Sequence, residues 1–268
     1  MNGPADGLAV RPDRWIVRPA VPRKNDRDLR TGPLLRLVCV PYAGGGASVY
    51  QRWGHALLPA VEPWALRLPG HDARMAEPLA TDLVSVAADA AAALVALGPG
   101  PYALFGHSLG AFLAFEIARA LRDRWDTEPT FLAVGGRNAP HLGASGVAMS
   151  HLPDDEYLDL LDQRFGAIPK VIREDAQMRD LYLPILRADV TMLETYAHRP
   201  GRPLSCPILA LGGEDDPETS VGSLAAWGAH TTAGCTTVML PGGHFFLETQ
   251  REQLLQLLSA ELLATLVP

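Results

Sequence analysis

Ser108 sits in Gly106-His-Ser-Leu-Gly110, a G-x-S-x-G pattern between an apolar run, Tyr102 to Phe105, and a helical stretch that opens at Leu109. A serine hydroxyl is a weak nucleophile near neutral pH, so a base must take its proton and a third group must orient that base. The bare pattern is weakly specific. Its setting between strand and helix is what a nucleophile turn needs, with glycines where side chains at 106 and 110 would meet neighbouring backbone. Of eight histidines, His244 alone directly follows a late strand, in Leu240-Pro-Gly-Gly-His-Phe-Phe246, where a glycine loop can swing an imidazole over Ser108. The orienting acid belongs at the end of the preceding strand, where Leu211-Gly-Gly-Glu-Asp-Asp-Pro217 offers Glu214, Asp215 and Asp216. Asp216, stiffened by the following proline, is the choice, with Asp215 as the alternative. An acyl-transfer intermediate also needs backbone N–H donors for its oxyanion. Leu109, directly after the nucleophile, supplies one. Pro41-Tyr-Ala-Gly-Gly-Gly-Ala47 supplies the other, with Ala43 as the donor. A phosphate-binding reading of those glycines fails, because neither G-x-x-x-x-G-K-[ST] nor G-x-G-x-x-G fits.

These residues must be carried by elements that bring their loops to one edge. From Leu34 onward, short apolar runs alternate with amphipathic stretches. Strands are expected at Leu34–Val40, Glu62–Leu68, Tyr102–Phe105, Phe131–Val134, Ile208–Leu211 and Thr236–Leu240. Helices are expected at Ser48–Leu58, Thr81–Leu97, Leu109–Arg124, Ser223–His230 and Glu248–Leu266. The alternation implies an α/β fold, a mostly parallel sheet with helices on both faces. The rhythm breaks at about 144–203. There Pro153 and the acidic Asp154-Asp-Glu156 open a helix that Gly166 closes, and Leu186, Val190, Leu193 and Ala197 recur at helical spacing in a segment that Pro184 is expected to kink or offset. This segment reads as an inserted helical layer within a domain spanning 34–268. Residues 1–33, rich in Pro, Gly, Arg and Asp, read as a partly ordered leader pinned by Trp15, Ile16 and Val17.

Composition narrows the chemistry. A formal net charge of -7 with no Lys/Arg-rich run argues against a nucleic-acid ligand. No apolar run reaches membrane-spanning length and no signal-peptide core is present, so a cytoplasmic protein is expected. Cys39, Cys206 and Cys235, odd in number and widely spaced, suit buried reduced thiols rather than a disulfide framework or a zinc site, and no cofactor or metal is expected.

With these blocks in place, the sequence resembles the type II thioesterases that accompany polyketide synthases and non-ribosomal peptide synthetases. The likeness runs from about Trp15 to Phe246 and is carried by Arg14-Trp-Ile-Val-Arg-Pro19, Pro41 to Ser48, Leu104 to Gly110, Gly136-Arg-Asn-Ala-Pro-His141, Leu183-Pro-Ile-Leu-Arg-Ala-Asp189, Gly212 to Pro217 and Pro241 to Phe246. The resemblance implies an α/β-hydrolase fold and a triad of Ser108, Asp216 and His244, with Ala43 and Leu109 at the oxyanion hole. It also implies a lid over a channel for a phosphopantetheine arm, and removal of aberrant acyl groups from acyl or peptidyl carrier proteins. One departure is Leu68-Pro-Gly-His71, where such proteins often carry arginine in place of His71. Because carrier proteins are typically acidic, Arg164, Arg173, Arg179 and Arg187 are candidate local docking charges. The competing expectations are a small-molecule carboxylesterase or lipase on the same fold, and a non-catalytic interaction module.

Overall fold

The computed structural model describes residues 11–18, 35–143, 148–166 and 168–266. Among the described residues, seven strands form one sheet: β1 (Ile16–Val17), β2 (Leu35–Val40), β3 (Val61–Leu66), β4 (Tyr102–His107), β5 (Phe131–Gly135), β6 (Ile208–Gly213) and β7 (Cys235–Leu240). They lie in the order β1-β3-β2-β4-β5-β6-β7. All neighbours are parallel except β1, which pairs antiparallel with β3 through Ile16 and Leu66. Two residues of the expected leader are therefore an edge strand of the domain. Behind them α1 (Pro12–Trp15) buries Trp15 with the Arg74 guanidinium 4.1 Å from its ring centroid. Residues 1–10 and 19–33 of the leader, and residues 144–147 at the start of the expected insertion, fall outside the described residues.

Strand periodicity explains the two main cores. Side chains alternate across a strand, so Val38, Val40 and Leu104 face one layer, with α3 (Leu83–Ala96) and α4 (Leu109–Trp125). Leu37, Cys39 and Phe105 face the other, with Trp53, Leu254 and Leu258. The Ala-rich face of α3 lets it lie close against α4, and its start is set by Asp82, whose side chain accepts from the Ser85 N–H at 2.7 Å.

Three expected helices are subdivided. The Ser48–Leu58 stretch is a 3-10 turn, Ala47–Tyr50, followed by α2 (Gly54–Leu57). From this turn Tyr50 and Trp53 pack edge-on or tilted against Phe105. The stretch before β7 is α8 (Val221–Ala225) and a 3-10 turn, and the C-terminal stretch is α9 (Phe246–Thr249) and α10 (Arg251–Ala264), divided at Gln250.

Between β5 and β6 lie α5 (Asp154–Phe165), α6 (Lys170–Glu174) and α7 (Ala176–Thr195). Gly166 ends α5 in the left-handed region, as its position after an amphipathic run requires. The segment with Pro184 is one helix, α7, and Asp175 caps it by accepting from the Gln177 and Met178 N–H groups. This layer has its own apolar core of Met149, Tyr157, Leu158, Leu161, Leu183 and Val190, where each large side chain contributes about 1.5–3 kcal/mol by leaving water. Among the described residues no helix is long and apolar enough to cross a membrane. All three cysteines are free, with Cys39 and Cys206 buried and Cys235 only half-buried.

Candidate active site

β4 delivers Ser108 and α4 starts one residue later, so the chain must reverse direction within a single residue. Ser108 takes φ 55° and ψ -116° to do so, a region that costs a non-glycine residue about 1–3 kcal/mol. Its flanking glycines leave no alternative. A Cβ at Gly106 would lie 1.9 Å from the Gly110 carbonyl oxygen, and one at Gly110 would lie 2.3 Å from that of Val40. Gly106→Ala is therefore expected to cost about 3 kcal/mol or more, read in a melting curve as a fall in Tm on the order of 10 °C for a chain of this size. An unchanged Tm would mean that the turn tolerates a side chain and is not strained as described.

β6 ends in the acidic loop. Glu214 and Asp215 point to solvent, whereas Asp216 is 4% exposed. Its Oδ1 accepts from the Glu218 N–H at 3.0 Å and its Oδ2 from the Thr219 hydroxyl at 3.4 Å. β7 ends in Pro241-Gly-Gly, which turns back toward β6 closely enough that a Cβ at Gly213 would meet the Gly243 carbonyl at 2.3 Å. That turn brings His244, 4% exposed, to Asp216, with Nδ1 2.9 Å from Oδ2. Because a carboxylate only accepts, Nδ1 carries the hydrogen, and a neutral ring then has its lone pair on Nε2. Phe165, the last residue of α5, lies against the imidazole with ring centroids 4.7 Å apart.

Ser108, His244 and Ala43 line one cavity of about 710 Å³. Its other walls are largely apolar and come from the inserted helices, including Leu161, Phe165, Ile172, Leu186 and Val190. Asp216 stands behind His244 and does not line it. The Leu109 side chain is fully buried in the main core, so only its backbone faces the turn. In the glycine loop after β2, the two N–H groups that follow Ala43 are already committed, Gly44 to Asp189 at 2.7 Å and Gly45 to the Tyr42 carbonyl at 2.9 Å.

Two residues here carry no role from sequence reasoning. Arg137, just past the end of β5, is 5% exposed, and its Nη2 donates to Ser108 Oγ at 3.1 Å, so the serine hydroxyl is bonded to Arg137 rather than to His244. Among the described residues Arg137 forms no ion pair and its Nε has no partner; burial brings its pKa down to about 10. The available signal was its place at the carboxyl edge of the strand beside β4, where sheets of this kind gather ligand groups. His107 is fully buried, with no hydrogen-bond partner at normal geometry for either ring nitrogen among the described residues, and burial, reinforced by the charges of His244 and Arg137, holds it far below the usual histidine range and so neutral. It packs among Tyr42, His244, Phe245 and Phe246 as an uncharged spacer beneath the site.

Each of the four arginines named as candidate docking charges is paired with a carboxylate in the structure. Arg164 is turned inward, bonded to Glu218 and lining the cavity. Arg173 pairs with Asp159, Arg179 with Asp155 and Arg187 with Asp154, all acids of α5. Helical spacing does not reveal that α6 and α7 fold back on α5, where its acidic first turns neutralise these charges. They hold the inserted helices together, each pair contributing little on its own at the surface.

The family model described as "Thioesterase domain" matches residues 35–262. The chain is 37% identical over 261 residues to the Brevibacillus parabrevis protein named linear gramicidin dehydrogenase LgrE, covering 96% of each. It is 38% identical to thioesterase PikA5 of Streptomyces venezuelae, over 86% of this chain and 82% of that one. The structure of the type II thioesterase BorB from the borrelidin biosynthetic cluster superposes with a TM-score of 0.80 at 34% identity, covering 92% of this chain and 97% of BorB. The G-x-G-x-x-G turn of a dinucleotide-binding dehydrogenase is missing from this sequence.

Proposed function

Since the chain belongs to the type II thioesterases of polyketide and non-ribosomal peptide biosynthesis, we propose that Ser108, His244 and Asp216 perform its thioester hydrolysis and that acyl groups on the phosphopantetheine arm of acyl or peptidyl carrier proteins are its substrates. The observation that carries this reading is the buried Asp216–His244 pair, whose histidine stands with Ser108 at the wall of one largely apolar cavity. The cavity suits an acyl chain and a slender thioester arm better than a charged metabolite.

The chemistry follows from the tautomer. The Ser108 hydroxyl turns from Arg137 to His244, whose Nε2 takes its proton as Oγ attacks the thioester carbonyl carbon. Negative charge passes to the carbonyl oxygen, held by the N–H groups of Ala43 and Leu109. The C–S bond breaks, the departing sulfur receives the proton from His244, and an acyl-serine remains. Water, activated by the same histidine, then releases the acid and restores the hydroxyl. Asp216 holds the ring in orientation and stabilises the imidazolium formed in each half.

The test compares mass spectra of a panel of acylated carrier proteins after incubation with the enzyme, together with turnover of a matched thioester and oxygen ester. Deacylated carriers and faster thioester turnover are expected. Unchanged carriers alongside rapid oxygen-ester cleavage would replace this reading with that of a small-molecule esterase.

A further inference from the structure

Asp189, on α7, is 2% exposed and its Oδ2 accepts two hydrogen bonds, from the Gly44 N–H at 2.7 Å and from His71 Nε2 at 2.9 Å. His71, in the loop after β3, is 4% exposed, and its Nδ1 stands 3.0 Å from the Pro69 carbonyl oxygen. Carboxylate and carbonyl oxygens only accept, so both ring nitrogens carry hydrogen and the imidazole is a cation. One residue further on, Asp72 accepts from the Ala47 N–H at 2.8 Å. The glycine loop is thus held at both ends by the turn that follows β3. Gly44 has φ +74°, and a Cβ there would be 3.0 Å from Cδ1 of Leu186, one turn before Asp189 on α7 and itself a wall of the cavity. One carboxylate therefore ties the loop next to Ala43 to the helix that covers the substrate.

We infer that His71, as an imidazolium paired with Asp189, is a positioning residue that holds the Gly44 peptide, and with it the Ala43 N–H, in register with Ser108. The inference rests on the reading of Ala43 as an oxyanion donor. A buried ion pair is a poor source of stability, but losing one of its charges leaves the other uncompensated. The groups that face His71 all favour its proton: Asp189 from α7, the Pro69 carbonyl and Asp72. Burial opposes them and is the largest single influence, yet together they raise His71 above the ordinary histidine value. Tyr157 of α5 feels the same carboxylate, and burial keeps its phenol protonated, so it does not compete for the titration. When pH rises through the raised value, one ring nitrogen becomes a lone pair facing an acceptor, the Asp189–His71 contact loosens, and turnover falls on the alkaline side.

The experiment measures kcat and KM for an acyl-N-acetylcysteamine thioester across about pH 5.5–9.5, with uncatalysed hydrolysis subtracted, and the rate of Ser108 labelling by a fluorophosphonate. Wild type should lose about 10-fold in kcat on the alkaline side, with KM nearly constant. Asp189→Asn should move that fall about one pH unit or more toward acid, because the carboxylate no longer favours the proton. His71→Arg, a cation that does not titrate in this range, should keep kcat within about 3-fold of wild type and abolish the fall. His71→Gln, with a single donor group and no charge, should lower kcat about 10-fold at every pH. Superimposable alkaline limbs in wild type, His71→Arg and Asp189→Asn would overturn the inference, as would wild-type kcat in His71→Gln. If circular dichroism shows that His71→Arg does not fold, the shift in Asp189→Asn decides. Absence of Ser108 labelling in wild type would instead sink the catalytic reading itself, whereas labelling that is indifferent to residue 71 would sink only the inference.

Discussion

Replacing Ser108 with alanine is expected to lower thioester turnover by about 10⁴–10⁶-fold while leaving the melting curve close to wild type. The size of the effect follows from how the site divides its work. With Oγ gone, His244 has no hydroxyl to deprotonate and no acyl-enzyme can form, so the Asp216–His244 pair loses its purpose along with the serine. What remains is the oxyanion site and the cavity, which can still hold a thioester near water and so account for a residual rate above background. The structural cost is small. The hydroxyl's one bond in this arrangement is to Arg137, and alanine fits the Ser108 backbone no worse than serine does, since both carry a Cβ at φ 55°. Kinetics with an acyl carrier substrate and a parallel calorimetric scan separate the two effects. Retention of most of the turnover with normal folding would remove Ser108 from the nucleophile role.

The same contrast between local pattern and tertiary placement decides which features were legible in the sequence. The elements that carry the site were readable because each is announced by neighbouring residues: β4 by an apolar run, α4 by helical spacing, and the turn between them by Gly106 and Gly110, whose missing side chains meet backbone in the fold. Gly166 likewise marks the end of α5 with a left-handed residue. The fate of the charges on α5–α7 was not readable. Arg179 and Asp155 are 24 residues apart, and no local pattern states that α7 will fold back beside α5. Arg137 and His71 went without roles for a related reason. Each lies in an otherwise ordinary loop after a strand, and its importance comes from what other segments bring to it: Ser108 in one case, Asp189 from 118 residues away in the other. Pro184 lies inside α7, whose flanking Leu183 and Val190 pack into the core of the inserted layer, an anchoring that no local pattern states.

Asp216→Asn is expected to lower turnover by about 10⁴-fold, whereas Asp215→Asn should stay within about 3-fold of wild type. The two residues are adjacent and chemically identical, so only their placement can separate them. Asp215 is exposed and is tied to the structure through its backbone, its N–H donating to the Gly242 carbonyl at 3.0 Å, a bond that asparagine keeps. Asp216 is buried and uses both oxygens, Oδ1 toward the Glu218 N–H and Oδ2 toward His244 Nδ1. An asparagine side chain has one oxygen and one NH₂. The Glu218 N–H requires the oxygen on its side, which turns the NH₂ toward Nδ1, and two donors cannot share that contact. The imidazole relieves the clash by moving its hydrogen to Nε2, the nitrogen that must accept the serine proton. The variant would then fold with the same geometry and hold its histidine in the wrong tautomer. Substrate binding should change little, because Asp216 does not line the cavity, so the loss falls on kcat rather than KM. A reversed result, with Asp215→Asn inactive and Asp216→Asn near wild type, would transfer the acid role to Asp215 and require the loop after β6 to rearrange when substrate binds.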